Sequence, residues 1–343
     1  MSTSRLIARV TAAFLLALLV LVAAQASTAP YAANCDHTDP AWDYRWPVKP
    51  FARQHPIRGA FGDPRTRAAD EAFGQTGPND SGSYSFHSGV DIVAPDGTPV
   101  YPVVSGWVAA VQGGKIIVYT PDGRSFQYDH LVPAVSVGEY VTAELTVLGR
   151  VQPRRGHVHL TEIDRMVLRG KCASFGANPL ASGHLEPYRD GTRPMTEGLY
   201  VDDGSGPRPL VDHPVGPADH LAVEATDPAA LPVPGAWAGL PQTPALVEWG
   251  LVRGRSSVAW HVVADFRQTE PGTEAFWRIY AAGTYQNQPE FDHRLYLGHA
   301  GRYLFRLGVH AAHMRPGAYR LAVRVADVRG NRSTTVWPIR IVR

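Results

Sequence analysis

A chain of 343 residues is too long for one ordinary core and long enough for two domains plus an export signal. With 33 basic against 31 acidic residues, a net charge of +2 and no basic block, it lacks the electrostatic footprint of a nucleic-acid-binding protein, and nucleic acid is excluded as its main partner. The 33 Gly, 29 Pro and 44% hydrophobic residues favour a folded protein of many short strands over disorder.

At the N-terminus, Arg5 and Arg9 precede an apolar run over 10–24 that ends in small residues. This pattern predicts a secretory signal over 1–26, cleaved near Ala26 or Ala29. The run is shorter than the roughly 20 residues a spanning helix needs, so the expectation is an exported product, secreted or in the cell envelope, with no stable membrane insertion. An exported chain meets an oxidising compartment, where Cys35 and Cys172, the two cysteines present, are expected to pair. Residues 27–45 are polar and without period, and read as an extended lead-in.

From Trp46 onward, β-branched runs at 90–93, 100–111, 116–119 and 125–131 alternate with the turn signals Asp96-Gly97, Gly113-Gly114 and Asp122-Gly123. These predict a meander of antiparallel strands in a first domain over 46–191. A segment rich in Gly, Pro and Asp places the boundary near Gly191. Beyond it, strands are expected at 221–225, 246–251, 257–264, 277–281, 295–297, 303–307, 319–325 and 333–342. Their spacing suggests an immunoglobulin-like β-sandwich over 192–343, making the whole protein all-β. Trp107, Trp249, Trp260 and Trp277 fall at positions expected to be core.

Chemistry concentrates in two histidine-bearing stretches, Phe86-His87-Ser88-Gly89-Val90-Asp91 and Gly156-His157-Val158-His159. Histidine and carboxylate are the vocabulary of a zinc site, which in catalytic form has three protein ligands and one open position. On a strand His157 and His159 share a face, about 7 Å apart, so spacing alone allows either three or four ligands. His310 and His313 lack acidic or cysteine partners in sequence and read as surface histidines. Arg154 and Arg155 read as solvated.

His87-x-x-x-Asp91, then Tyr128-Asp129-His130-Leu131, then His157-x-His159 resemble, in order, the motifs of the lysostaphin-type (LytM-like) zinc peptidases. The similarity runs from about Trp46 to Leu180 and includes Gly97-Thr98-Pro99-Val100-Tyr101, Ser105-Gly106-Trp107-Val108 and Asn178-Pro179-Leu180. It implies an antiparallel peptidase domain with Zn2+ held by His87, Asp91 and His159. His130 and His157 would be catalytic, one taking a proton from water and the other stabilising the oxyanion. The implied substrate is peptidoglycan, cut at a cross-link or bridge peptide during cell-wall remodelling or lysis. Two alternatives are a non-catalytic cell-wall scaffold of the amidase-activator type and an extracellular peptidase for Gly-rich proteins. The chain departs from the pattern at Glu144, where the family often has glycine, and in the loop 150–155, which replaces a Gly, Ser and Thr-rich connection.

Overall fold

The computed structural model describes residues 43–67, 83–168, 171–204, 206–211, 213–252, 258–287, 289 and 300–343. The signal segment, most of the lead-in, Cys35 with its expected pairing to Cys172, and the strand expected at 295–297 lie outside the described residues.

The first half contains β1 (Ile57–Gly59), β2 (Pro64–Arg67), β3 (Ser83–Phe86), β4 (Val90–Val93), β5 (Pro99–Val100), β6 (Gly106–Gln112) and β7 (Lys115–Tyr119). It continues with β8 (Ser125–Asp129), β9 (Leu131–Pro133), β10 (Tyr140–Val141), β11 (Gly149–Val151), β12 (His157–Leu168) and β13 (Lys171–Ala177). Eight of these form one sheet in the order β1-β4-β12-β8-β7-β6-β10, with β13 also on β12. Burial alternates along the strands: in β7, Ile116 and Val118 are fully closed from solvent while their neighbours are half-buried. That period of two is what one apolar and one polar face require. On the apolar face, Val158 and Leu160 pack with Trp46, Phe126 and Tyr128 in one core.

Two expected runs divide. The run over 100–111 gives β5 and β6, separated by residues 101–105. The run over 125–131 breaks at His130, whose φ of 69° lies in the left-handed region and ends β8. Glu144 adopts φ 60°, so the backbone there keeps the conformation glycine takes without strain although the residue is glutamate.

The second half contains β14 (Met195–Asp202), β15 (Arg208–Pro209), β16 (His220–Thr226), β17 (Leu246–Val252), β18 (His261–Asp265), β19 (Leu304–Leu307), β20 (Gly317–Ala326) and β21 (Arg332–Ile341). They make two four-stranded antiparallel sheets, β15-β14-β16-β19 and β18-β17-β20-β21. The fold class is thus all-β, as expected. The segment expected as a strand at 277–281 is instead a short helix, Phe276–Ile279. Phe276 and Tyr280 stand four residues apart, which stacks their rings at 5.1 Å on the buried face, a spacing a strand does not provide. The tryptophans expected in the core also differ: Trp107 is 41% exposed beside Tyr140, and Trp249, Trp260 and Trp277 are only partly buried, while Trp46 is fully buried. Strand alternation assigns a side but does not cover it, and Trp107 lies near the β10 edge of its sheet.

The halves meet through an aromatic cluster. The Phe86 ring lies 5.4, 5.3 and 6.0 Å from those of Phe266, Phe276 and Tyr280. Tyr280 Oη donates to the Gly62 carbonyl at 2.8 Å, and Asn178 Nδ2 donates to the Phe266 carbonyl at 2.8 Å. Gly62 has φ 87°, and a Cβ there would stand 2.5 Å from the Phe266 ring. Gly62→Ala is expected to destabilise the protein by about 2–5 kcal/mol, from left-handed strain plus overpacking. In urea unfolding the double variant Gly62→Ala/Phe266→Ala should lose less than the two single losses summed, because removing the ring removes the clash.

Candidate metal centre

The centre is built by strand register. β12 lies between β4 and β8, with His159 opposite Asp91 on one side and Asp129 on the other. Directly opposed residues on adjacent strands carry Cβ atoms about 5 Å apart, so Asp91 and His159 need no loop to meet. His87 comes from the turn between β3 and β4. Gly89 permits that turn to lie against β12, since a Cβ there would stand 2.2 Å from the Leu160 carbonyl oxygen.

Three donor atoms converge. His87 Nε2 is 3.2 Å from Asp91 Oδ1 and 2.8 Å from His159 Nδ1, and His159 Nδ1 is 2.9 Å from Asp91 Oδ1. Ligands on a tetrahedral ion with bonds of about 2.0 Å stand roughly 3.3 Å apart, so the observed set is a slightly contracted version of such a site. Each ligand is also held from behind. His87 Nδ1 donates to the Ala60 carbonyl at 2.8 Å, which fixes the tautomer and leaves Nε2 a bare lone pair facing inward. Asp91 Oδ2 accepts from Arg65 Nη2 at 3.0 Å, reserving Oδ1 for the centre. His159 Nε2 lies 2.7 Å from Thr161 Oγ1. Two imidazole nitrogens and one carboxylate oxygen, with outer partners on all three, fit zinc and leave a position for water or substrate.

The turn that positions His87 is itself anchored. Asp63, 1% exposed, accepts the Ala60 N–H at 2.9 Å and, from the second half, the Thr243 N–H at 2.8 Å. Burial pushes the Asp63 carboxyl up to about 6, with Arg65 and the two N–H bonds opposing it.

His130 and His157 stand together beside the triad, their ring centroids 4.5 Å apart. His157 Nδ1 donates to the Arg155 carbonyl at 2.7 Å, so its Nε2 carries the lone pair, which accepts from Arg58 Nη2 at 3.5 Å and lies 3.6 Å from Asp91 Oδ1. Burial lowers His87, His130 and His157 each to about 4. The Arg65 cation adds to the effect at His87, while at His157 Asp91 opposes burial and Arg58 assists it. Burial also opposes ionisation of Asp91, but His87 and His157 outweigh it and hold this carboxyl well below the usual range. All five residues singled out in the sequence therefore meet at one place. Arg154 and Arg155 are exposed, and His310 and His313 lie apart on the surface beside the short turn Ala311–His313.

Sequence reasoning missed the supporting residues Arg58, Arg65 and Glu270. Glu270 reaches over from the second half, its N–H donating to the Gly176 carbonyl at 3.3 Å. Burial pushes its carboxyl up to about 7, partly offset by His159. Arg58 carries the Trp237 ring 4.2 Å from its guanidinium, a second contribution from that half. No periodicity or motif marks these residues, because each acts as a single side chain reaching across the fold.

No family model matches the chain, and no curated protein does. Among solved structures it is similar to a zinc containing peptidase from Vibrio cholerae, with 21% identity over 39% of this chain and 39% of that one, at a TM-score of 0.28. It is also similar to lysostaphin, with 15% identity over 53% of this chain and 87% of the other (TM-score 0.28), and to LytU, with 19% identity over 38% and 86% (TM-score 0.25). The chain spans 39% of the length of the Vibrio cholerae peptidase.

Proposed function

We propose that the protein is an exported zinc metalloendopeptidase that hydrolyses peptide bonds of peptidoglycan. The observation that carries this reading is the convergence of His87, Asp91 and His159 donors beside a second histidine pair, His130 and His157. Zinc, when bound, lowers the pKa of water and polarises the scissile carbonyl. His157 then serves as the base, a role supported by its fixed tautomer and by burial that keeps it neutral at physiological pH. His130, on the left-handed break after β8, faces the same space and steadies the oxyanion. Asp91 is held by Arg65 so that one oxygen is presented inward. Peptidoglycan as substrate follows from the sequence resemblance. The region 46–191 would carry catalysis, and 192–343, in the manner of an immunoglobulin-like domain, would position it on the wall.

Mass spectrometry of fragments released from purified peptidoglycan tests this. The zinc-loaded protein should release cross-link or bridge peptides. Asp91→Ala should lose both metal and hydrolysis, while His157→Ala should keep metal and lose about 10²–10⁴-fold in rate. Release of the same fragments by Asp91→Ala overturns the reading, and full activity of His157→Ala would indicate that this histidine is not the base. Digestion of elastin-like protein with no action on peptidoglycan would favour the alternative substrate.

The depressed histidines also set a pH dependence. A histidine whose folded pKa lies below its unfolded value contributes stability that is complete above about 6.5 and lost as pH falls towards 4. The zinc-free protein should therefore weaken steadily from pH 6.5 to 4 in urea unfolding. His157→Gln should flatten that slope by up to about 1.4 kcal/mol per pH unit.

A further inference from the structure

Away from the histidine centre, Asp190, Asp227 and Asp327 bring one carboxylate oxygen each within 4.8 Å of one another. They come from three parts of the chain: Asp190 from the segment leading into β14, Asp227 from the end of β16, and Asp327 from the turn between β20 and β21. The last two belong to different sheets. Asp227 is 7% exposed and Asp327 1%.

The cluster is held open by neutral donors. Asp190 Oδ1 accepts the N–H and Oγ1 of Thr192 at 2.8 and 2.6 Å, and Oδ2 accepts Tyr188 Oη at 3.1 Å. Asp327 Oδ1 accepts the N–H groups of Arg329 and Asn331, both at 2.9 Å, and Oδ2 accepts Asn331 Nδ2 at 2.6 Å. Asp227 Oδ1, in contrast, is closed from solvent and has no hydrogen-bond partner. Among the described residues none of the three carboxylates takes part in an ion pair, and the nearby Arg329 pairs through Nη2 with Glu186 at 2.7 Å.

An isolated buried carboxylate is strongly disfavoured, and two more beside it compound the cost. Something positive must enter: a proton or a cation. Burial, then the charges of Asp190, Asp327 and Asp63, push Asp227 up to about 9. An all-oxygen set suits a hard ion, and a span of 4.8 Å or less matches opposite ligands on calcium, with bonds of about 2.4 Å. The half-buried Asp190 leaves a way in.

We infer that Asp190, Asp227 and Asp327 form a calcium-binding centre that ties the segment after the first half to both sheets of the second. Asp227, whose Oδ1 has no hydrogen-bond partner, supplies one carboxylate ligand, and the ion acts as a structural clamp.

The test uses the full chain saturated with zinc, so that the histidine centre is filled. Terbium is added and tyrosine excited, since Tyr188 stands against Asp190 and would sensitise the bound ion. The expected result is terbium luminescence displaced by calcium, and a rise of several degrees in Tm with millimolar calcium. Asp227→Asn should bind calcium at least tenfold more weakly and lose the Tm response, and Asp190→Asn, at the half-exposed position, should do the same without disturbing a fully buried group. Absence of luminescence and of any calcium effect in the unmodified chain overturns the inference and assigns the cluster a shared proton. Equal binding in both variants overturns it too, by putting the ion elsewhere.

Discussion

The register of β12 between β4 and β8 is the constraint on which the rest depends. It aligns Asp91, His159 and Asp129 in one row and leaves His157 two residues away on the same face. A slip of one residue would exchange the faces of the strand, sending His159 into the core and Leu160 out. The opposite face resists that slip. Glu162 is 1% exposed and is met by Arg124 at 3.2 Å, His184 at 2.7 Å and Tyr44 at 2.6 Å. Moving Glu162 from these partners would leave an uncompensated buried charge, costing about 3–5 kcal/mol. One strand thus carries a polar network on its buried face that holds its metal-facing side in line.

What could be read from the sequence follows from this geometry. His157 and His159 are legible because a strand places i and i+2 together, and β20 is legible from the alternation over 319–325. The partnership of His87 with His159, 72 residues apart, is a matter of topology, and only the ordered resemblance supplied it. The break at His130 was hidden because a single left-handed φ at a non-glycine residue leaves no mark in the run 125–131. At Glu144 the resemblance supplied an expectation of glycine, and the backbone honours it at φ 60° despite the glutamate. The helix at Phe276–Ile279 was hidden by apolar residues that fit either period over so short a stretch.

The residues with no sequence signature share one property: they are donors or acceptors reaching in from elements remote in the chain. Arg65 steadies Asp91, Arg58 meets His157, and Glu270 approaches His159 from the second half. The contacts of Arg58 and Arg65 follow from how β1 and β2 lie beside β4, and that of Glu270 becomes visible only once the halves are packed. The buried aromatic cluster of Phe86, Phe266, Phe276 and Tyr280 joins the two halves.

The second half therefore does more than lie beside the centre. Its Thr243 N–H holds Asp63, Asp63 holds the Ala60 N–H, and the Ala60 carbonyl holds His87 Nδ1. Three hydrogen bonds of 2.8 to 2.9 Å connect a residue of the second half to a metal ligand of the first. Loosening any of them frees the imidazole to rotate and loses the inward lone pair, because the tautomer is set by that outer bond. The geometry of the histidine centre is thus partly a property of the packing between the halves.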